Sequence, residues 1–308
     1  MTYTKNKNLG ISVVIPNYNG KNLLEKNLPS IYAALEHANI EYEIIVSDDC
    51  SSDNSLEFLK TIYPDIKVFS TDTNLGFSGN CNNGIKNATQ TLTCVTNTDV
   101  NFDVNYFKNA LPHFSDKNLF AVKGKIVNYE GDPENITTIN ETCLTYIKRG
   151  VIRFKCDIEP DNNKMSKDIG GQYVGLGCCF VANTHLLKSI GGFYEIFSPY
   201  YWEDSDIAIT ALEQGYNLVY EKDSIIYHNH GSTISKTQAS SKRKIISNRN
   251  KLIFSWLHLK GLKNWSIHFL FIVTNILTRW LALDIKYYIS LYTAIKIYLN
   301  KKPRASLL

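Results

Sequence analysis

The sequence predicts an α/β fold with a mostly parallel central sheet flanked by helices, followed by a helical C-terminal extension. Over the first 130 residues, short β-rich runs alternate with helical apolar patterns, which is typical of βαβ units. Each β-rich run ends in polar residues, as expected where the strands of an open α/β sheet reach a ligand site. With 308 residues and 44% hydrophobic content, the chain is long enough to bury a large core.

The elements of the first half follow from the spacing of apolar residues. A strand is predicted over 11–17, because the continuous apolar run ISVVIPN suits a strand that is buried on both faces. Leucine and isoleucine side chains over 24–35 then recur at helical spacing, with Pro29 as a local irregularity. The alternation continues with strands at 43–47, 68–70 and 92–96 and with a short helix at 56–62.

The second half is less regular. Residues 128–172 lack clear periodicity and are rich in Asn, Thr, Glu and Asp, which indicates an excursion from the sheet, placed where it could cover a substrate. From residue 173 the apolar pattern resumes. A helix containing Ile207 is predicted to end at Gly215, and a strand over 224–227 runs into His228.

The charge of the chain is mildly basic and unevenly placed. A formal net charge of +4 is far from the one-sided charge of a dedicated nucleic-acid binder, so no nucleic-acid partner is expected. Lysines and arginines instead collect after residue 235. They are Lys236, Lys242, Arg243, Lys244, Arg249 and Lys251, and further along Lys286, Lys296, Lys301, Lys302 and Arg304.

Residues 265–283 form an apolar run of about the length that spans a bilayer. Arg279, His268 and Asn275 argue against a span, because polar and charged side chains are costly inside a membrane. A buried or interfacial amphipathic helix is therefore favoured over a span. With its basic flanks, this segment predicts peripheral contact with the cytoplasmic face of a membrane.

The cysteines and the first residues favour a cytoplasmic protein. Seven cysteines occur without a CxxC spacing, and the adjacent Cys178 and Cys179 lie in an apolar stretch where small buried hydrophobes are expected. These features suit a reducing compartment. The first ten residues, MTYTKNKNLG, contain no apolar core of signal-peptide length, so export is not expected.

An acidic cluster is the strongest candidate for catalysis. Glu203, Asp204 and Asp206 follow the aromatic run 200–202 and precede the predicted helix. Like charges packed against aromatic rings raise the energy of the ionised forms, whereas a helix N-terminus favours negative charge. Such a carboxylate can be tuned as a proton acceptor. The alternative is a solvated acidic helix start.

Polar groups also close the second and third strands. Asp48 and Asp49 end the second strand, where carboxylates could bind a base or ribose hydroxyls, although 51–53 would equally cap the next helix. The segment 74–80 follows the third strand, and its glycines permit close backbone approach to a phosphate. It matches neither the dinucleotide fingerprint nor the P-loop, so alone it is a weak signal.

Residues of the types that bind metal ions follow two further strands. Asn97, Thr98 and Asp99 follow the strand at 92–96, where a carboxylate can hold Mg²⁺ or Mn²⁺ together with a diphosphate. A turn-forming Asx pair is the competing interpretation. His228 ends another strand, where an imidazole can ligate Mn²⁺ or contact phosphate, although a single histidine is more often structural.

Taken in order, these motifs resemble a known family. VVIPNYNG, VSDDCSSDNS, NLGFSGNCNNGI, TNTDV, GCCFVANTHLLKSIGGF, WEDSD and IIYHNHGST follow the order and approximate spacing of the family 2 glycosyltransferases. The resemblance covers about residues 11–235 and is strongest to the bacterial branch that adds rhamnose or other sugars to cell-surface polysaccharides. It implies the GT-A fold over 1–235, with a nucleotide-sugar-binding half at 1–127, an acceptor-binding and catalytic half at 128–235, and a basic, apolar helical extension at 236–308.

The resemblance also implies roles for individual residues. Asp99 matches the second acid of the DxD metal motif, and His228 matches the histidine after the acidic cluster. Asn97 replaces the first acid of the motif, which implies weaker metal affinity. Asp204 matches the general base, with Glu203 beside it, while Trp202 would contact the acceptor and Asp206 would contact the acceptor or be structural. The nucleotide-sugar would be bound by Pro16, Tyr18, Asp48, Asp49, Asn74, Gly76, Asn80, Asn97 and Thr98.

The implied activity is an inverting, Mg²⁺- or Mn²⁺-assisted transfer of a sugar from a UDP- or dTDP-sugar to a hydroxyl of a lipid-linked glycan. A nucleotidyltransferase is the nearest enzymatic alternative, but it would need a glycine- and basic-rich loop near the start, where only Lys21 is present. A non-catalytic glycan-binding or scaffold protein with a degenerate site is the alternative from another class.

Overall fold

The computed structural model describes residues 9–129, 136–138, 142–158, 172–173, 175–228 and 240–308. Its strands are β1 (Gly10–Asn17), β2 (Glu41–Asp48), β3 (Lys67–Ser70), β4 (Leu92–Thr96), β5 (Val100–Phe102), β6 (Leu119–Tyr129), β7 (Ile136–Thr138), β8 (Thr142–Lys148), β9 (Val151–Ile158), β10 (Gln172–Tyr173), β11 (Cys179–Asn183) and β12 (Asn217–His228). Its helices are α1 (Lys21–Ala38), α2 (Ser55–Ile62), α3 (Gly76–Asn87), α4 (Tyr106–Ala110), α5 (Thr184–Ser189), α6 (Glu203–Glu213), α7 (Ser240–His258), α8 (Leu262–Leu281) and α9 (Ile285–Leu299).

The central sheet has the strand order β3-β2-β1-β4-β11-β6-β12-β5, and β7 is added beside β6. Strands β1 to β4, β6 and β12 run in one direction, whereas β11, β5 and β7 run against their neighbours. The prediction of a mostly parallel sheet flanked by helices is therefore confirmed. Because the strands are parallel, the carboxyl ends of β1, β2, β4 and β12 meet at one edge.

Strand β1 is buried on both faces, as its apolar run predicted. Ile11, Val13 and Ile15 pack with α1 in one hydrophobic cluster, while Val14 faces the other side of the sheet. Helix α1 continues through Pro29, so the proline does not end the helix. It removes one backbone hydrogen bond, and the buried leucines on either side hold the turn in place.

Residues 128–172 were expected to leave the central sheet, and most of the described part does so. Strands β8, β9 and β10 form a separate antiparallel sheet, and only β7 returns to pair with β6. The β8–β9 hairpin turns through Arg149 and Gly150, both with positive φ, as two-residue hairpin loops require. This hairpin was not predicted, because polar and apolar residues alternate weakly in β8.

The C-terminal helices share a core with the rest of the domain. Ile253 and Phe254 of α7 and Leu291 of α9 belong to the same buried cluster as Phe120 and Phe180 of the central sheet. The extension is therefore built into the fold and is not an independent unit. The predicted boundary at 235/236 lies outside the described residues.

Helix α8 covers most of the apolar run at 265–283, and His268 is its buried residue. Within the described part of the chain, no helix combines the length and hydropathy that a membrane crossing needs.

The described cysteines are of two kinds. Cys179 is buried and Cys178 half-buried, and both are free thiols within the apolar stretch that predicted them. Cys143 in β8 is disulfide-bonded. This bond is unusual for the reducing compartment that the cysteine pattern favoured.

Candidate active site

The ends of β1 and β2 form one side of the candidate site. Asp48 is fully buried, and its two oxygens accept hydrogen bonds from the Asn17 side-chain amide at 2.7 Å and from the Ser51 backbone N–H at 3.0 Å. Pro16, just before Asn17, is half-buried, and Tyr18, just after it, is 50% exposed. Asp48 is therefore held in one orientation, and the Tyr18 side chain near the end of β1 is open to solvent.

Asp49 fixes the loop that leads into α3. Its carboxylate accepts hydrogen bonds from the backbone N–H groups of Leu75 at 2.7 Å and Gly76 at 3.0 Å, and from the Thr71 hydroxyl at 3.2 Å. The Asn74 side chain donates to the Asp49 carbonyl at 3.5 Å. Asp49 therefore holds the loop in place, and it lies beside Asn74 and Gly76, which were also predicted to bind the nucleotide.

Several buried polar atoms at this edge have no hydrogen-bond partner among the described residues. They are Asn17 Oδ1, Ser78 Oγ, Asn80 Oδ1 and Glu203 Oε2. The amide of Asn80 donates to the Asn17 backbone carbonyl at 3.1 Å, so these two residues are neighbours. Because a buried polar atom without a partner is costly, such a group of atoms indicates a polar ligand.

Asp99 and His228 meet at the same edge of the sheet. His228 ends β12 and pairs in register with Val100, which places its ring beside the turn after β4. The His228 Nε2 and Asp99 Oδ1 atoms are 3.3 Å apart. The turn is fixed by Asn27, whose amide donates to the Thr98 carbonyl at 2.8 Å, and by the Asn97 N–H, which donates to the Cys178 carbonyl at 3.0 Å.

The acidic cluster lies at the start of α6 and faces the same edge. The loop before it packs on α3, since the Phe77 N–H donates to the Pro199 carbonyl at 3.2 Å. Burial, and in addition the negative charges of Glu203 and Asp49, raise the pKa of the Cys81 thiol on α3. The acidic cluster and the residues predicted to bind the nucleotide are therefore close enough to contact one ligand.

The backbone just before the cluster is strained. Tyr201 and Trp202 have φ values of 75° and 81°, and two consecutive residues with side chains rarely adopt this left-handed conformation. The Trp202 ring packs against Phe154 and Phe254, with ring centroids 5.1 and 5.3 Å away. Such strain persists only where surrounding contacts enforce it, and it is common at functional sites.

Asn250 of α7 enforces this conformation. It is fully buried, and its side-chain amide nitrogen lies 2.7 Å from the Phe197 carbonyl oxygen and 2.9 Å from those of Tyr200 and Tyr201, so its two N–H groups are shared among three acceptors. Arg249 beside it donates to the Ser198 carbonyl. The C-terminal extension thus holds the loop that carries the acidic cluster.

Glu203 and Asp204 have different environments. Glu203 is buried, and burial followed by the charge of Asp204 raises the pKa of its carboxyl to about 8. Asp204 is half-buried, and no described residue donates a hydrogen bond to its carboxylate. Glu203 is therefore protonated near neutral pH, while the accessible carboxylate of the pair belongs to Asp204.

We expect Glu203→Gln to change how stability depends on pH. A carboxyl whose pKa rises on folding from 4.5 to about 8 holds a proton in the folded state that the unfolded chain has lost. The parent should therefore lose stability as pH rises from 4.5 to 8. Because glutamine cannot ionise, the variant should match the parent near pH 5 and exceed it by on the order of 3 kcal/mol at pH 9.

Urea unfolding of both proteins at pH 5, 7 and 9 measures this difference. Glu57→Gln, on the exposed side of α2, is a matched control, and its difference from the parent should not grow with pH. If the difference in unfolding free energy between Glu203→Gln and the parent is the same at all three pH values, Glu203 is ionised in the folded protein.

Asp206 is buried in a network of ionic contacts. It is 1% exposed, and its oxygens contact His258 Nε2 at 2.9 Å and the Arg304 guanidinium. Arg304 also lies over the Tyr194 ring, and burial lowers its pKa to about 10. Asp206 therefore joins α6 to α7 and to the segment after α9.

Sequence reasoning did not identify Asn17, Asn250 or Arg304. Asn17 stands within the motif VVIPNYNG, and its place at a strand end was the available signal. Asn250 and Arg304 had no local signal, because the groups that they contact are about 50 and 100 residues away in sequence.

Comparison with known proteins identifies the relatives of this chain. Residues 12–169 match the family model for Glycosyl transferase family 2. The Staphylococcus aureus poly(ribitol-phosphate) beta-N-acetylglucosaminyltransferase TarS is 30% identical over 132 residues, which are 41% of this chain and 22% of TarS. The Salmonella typhimurium O-antigen chain rhamnosyltransferase RfbN is 22% identical over 227 residues, which are 72% of this chain and 67% of RfbN.

Solved structures share the fold. The crystal structure of TarS 1-349 in complex with UDP-GlcNAc has a TM-score of 0.60 and 17% identity, covering 94% of this chain and 82% of that one. The mannosyltransferase PcManGT from Pyrobaculum calidifontis, in complex with GDP-Man and Mn²⁺, has a TM-score of 0.55 and 13% identity, covering 96% and 88%. At these identities the likeness shows the fold alone.

Fold and site together define an α/β protein of the GT-A class, with a carboxylate-lined edge of a mostly parallel sheet. The chain belongs to glycosyl transferase family 2, whose model matches more than half of it. TarS and RfbN also confirm the bacterial cell-surface polysaccharide branch that the motifs resemble.

Proposed function

We propose that this protein is an inverting glycosyltransferase that moves a sugar from a UDP- or dTDP-sugar to a hydroxyl of a lipid-linked glycan at the cytoplasmic face of a membrane. The observation that carries the proposal is that Asp99 and His228 lie 3.3 Å apart at the sheet edge where β2 ends with Asp48, followed by Asp49. Asp204 is half-exposed on α6, and the loop before α6 contacts α3, which Asp49 fixes at its start. TarS, crystallised with UDP-GlcNAc, supports the donor class, and RfbN supports a polysaccharide acceptor.

Asp204 is the proposed general base. As the acceptor hydroxyl attacks the anomeric carbon, its proton passes to the Asp204 carboxylate, and the bond to the nucleoside diphosphate breaks on the opposite side. A single displacement of this kind inverts the anomeric configuration. Glu203, protonated near neutral pH, adds no second negative charge beside the base.

A divalent metal would be held by Asp99 and His228. Their donor atoms are 3.3 Å apart, which suits two neighbouring ligands of one Mg²⁺ or Mn²⁺ ion whose other positions are taken by phosphate and water. No group of three or more metal-ligand side chains occurs among the described residues. Such an ion stabilises the charge that develops on the diphosphate leaving group.

Asn97→Asp should strengthen metal binding, because it adds a carboxylate two residues before Asp99. We expect about a tenfold lower Kd for Mn²⁺ in the presence of UDP, since one charge-assisted contact is worth about 1.5 kcal/mol. Isothermal titration with Mn²⁺ measures this change. Asp103→Asn, in the half-buried turn before α4, should leave the Kd unchanged. If Asn97→Asp and the parent bind Mn²⁺ equally, residue 97 does not face the ion.

The proposed reaction is tested by nucleotide release from a panel of UDP- and dTDP-sugars, with and without Mn²⁺ and with membrane extract as the acceptor source. Release of UDP or dTDP that depends on the acceptor is the expected result. Formation of a nucleoside triphosphate would instead support a nucleotidyltransferase. Donor binding without any turnover would support a non-catalytic glycan-binding protein.

A further inference from the structure

Helix α8 presents a row of large apolar side chains to solvent. Leu262, Phe269, Leu270, Leu277, Trp280 and Leu281 are between 64% and 88% exposed. At 3.6 residues per turn these positions fall on one side of the helix. Exposed apolar side chains in such a continuous row mark an interaction surface in a folded protein.

The opposite side of α8 is fixed to the protein through His268. This side chain is 3% exposed, and its Nε2 accepts a hydrogen bond of 2.7 Å from the Trp256 indole. Because an indole N–H can only donate, the proton of the imidazole lies on Nδ1, which donates to the Gly150 carbonyl at 2.7 Å. The apolar row is therefore held outward by contacts with α7 and with the β8–β9 turn.

Helix α9 continues the apolar surface. Ile285, Ile289, Tyr292 and Leu299 recur at intervals of three, four and seven residues, and are between 42% and 76% exposed. The buried side of the helix carries Tyr287, Leu291 and Ala294. The outer faces of α8 and α9, defined by the exposed residues just named, are called the apolar face below.

The charge around the apolar face is strongly basic. Residues 262–308 contain seven lysines and arginines and a single acidic residue, Asp284, which is paired with Arg279. Lys263, Lys286 and Lys296 are exposed on the same two helices, and Lys301 and Lys302 are exposed just after them. A partner for this surface must therefore be apolar and negatively charged at once.

We propose that the apolar face binds the surface of a membrane that contains anionic lipids. Apolar side chains would enter the boundary between head groups and acyl chains, and the lysines would neutralise lipid phosphates. Trp280 and Tyr292 suit this boundary, since aromatic rings with a polar atom favour it. A second copy of the chain suits the face poorly, because a symmetric dimer would set two basic surfaces against each other.

Co-sedimentation of the full chain with vesicles tests the proposal, without any sugar donor or acceptor. We expect binding to vesicles of phosphatidylcholine with 30% phosphatidylglycerol, and at least tenfold weaker binding to phosphatidylcholine alone. Binding should fall by a similar factor in 0.5 M NaCl, because salt screens contacts between exposed charges. The double variant Leu270→Glu/Leu277→Glu should lose at least 90% of the binding.

The control is Ala33→Glu/Thr61→Glu, which places the same added charge at exposed positions on α1 and α2. Both double variants should unfold at the parent's temperature, because all four positions are exposed. Equal vesicle binding by Leu270→Glu/Leu277→Glu and this control would overturn the proposal. So would a parent dimer, detected by analytical ultracentrifugation, that Leu270→Glu/Leu277→Glu dissociates. Neither result would depend on whether the protein transfers a sugar.

Discussion

Asp204→Asn is expected to lower sugar transfer by about 10²- to 10⁴-fold, which is the usual contribution of a general base. The amide has nearly the size of the carboxylate but cannot accept the proton of the acceptor hydroxyl. Because no described residue donates a hydrogen bond to Asp204, the substitution breaks no described contact. We therefore expect an unchanged melting temperature and an unchanged Kd for the donor, with the loss confined to kcat.

Glu203→Gln is the matched control within the same cluster. Glu203 is buried and, with its pKa raised to about 8, is already neutral at pH 7, so glutamine closely imitates its working form. Its rate at pH 7 should fall less than tenfold, which is small beside the effect at Asp204. The assay is nucleotide release under saturating donor. A larger loss for Glu203→Gln than for Asp204→Asn would assign the base to Glu203 instead.

The sheet and its functional edge could be predicted because they depend on local patterns. The continuous apolar run of β1 requires burial on both faces, and a strand so buried belongs to a parallel sheet covered by helices. Once the sheet is parallel, the polar ends of its strands must share an edge. Asp48, Asp99 and His228 could therefore be placed at one site before any distance between them was known.

The different environments of Asp204 and Asp206 within the acidic cluster could not be predicted from local patterns. Asp204 and Asp206 are two residues apart on α6, so their side chains point about 200° apart around the helix axis. One is half-exposed at the sheet edge, and the other is buried against His258 and Arg304. In sequence the two residues look alike, because the groups that distinguish them come from the C-terminal extension.

The dependence of the site on that extension rests on Asn250. Three backbone carbonyls of the loop before α6 accept hydrogen bonds from one side-chain amide, and the loop carries two consecutive residues with positive φ. Each left-handed residue costs about 1 to 2 kcal/mol, which the contacts of Asn250 offset. Without the contacts of Asn250, the loop would lower its free energy by returning to ordinary φ values, and α6 would begin in a different place.

Asn250→Ala is therefore expected to affect both stability and catalysis. It leaves buried carbonyls without a donor, so the free energy of unfolding should fall by about 2 to 4 kcal/mol. A loop that moves Asp204 by about 1 Å should reduce kcat by about 10²-fold while the KM for the donor stays nearly constant. The constant KM is expected because Asp48 and Asp49 are held by contacts of their own.

Asn264→Ala is the control in the same extension, because among the described residues the Asn264 amide donates only to the Lys260 carbonyl just before α8. It should change kcat less than twofold. Urea unfolding gives the stability of each variant, and kcat is measured at a temperature where every variant is fully folded. If Asn250→Ala loses stability but keeps the parent's kcat in that range, Asn250 only stabilises the fold. A lower kcat with an unchanged donor KM would instead show that α7 positions Asp204, which assigns to the C-terminal extension a part in the reaction besides the proposed contact with a membrane.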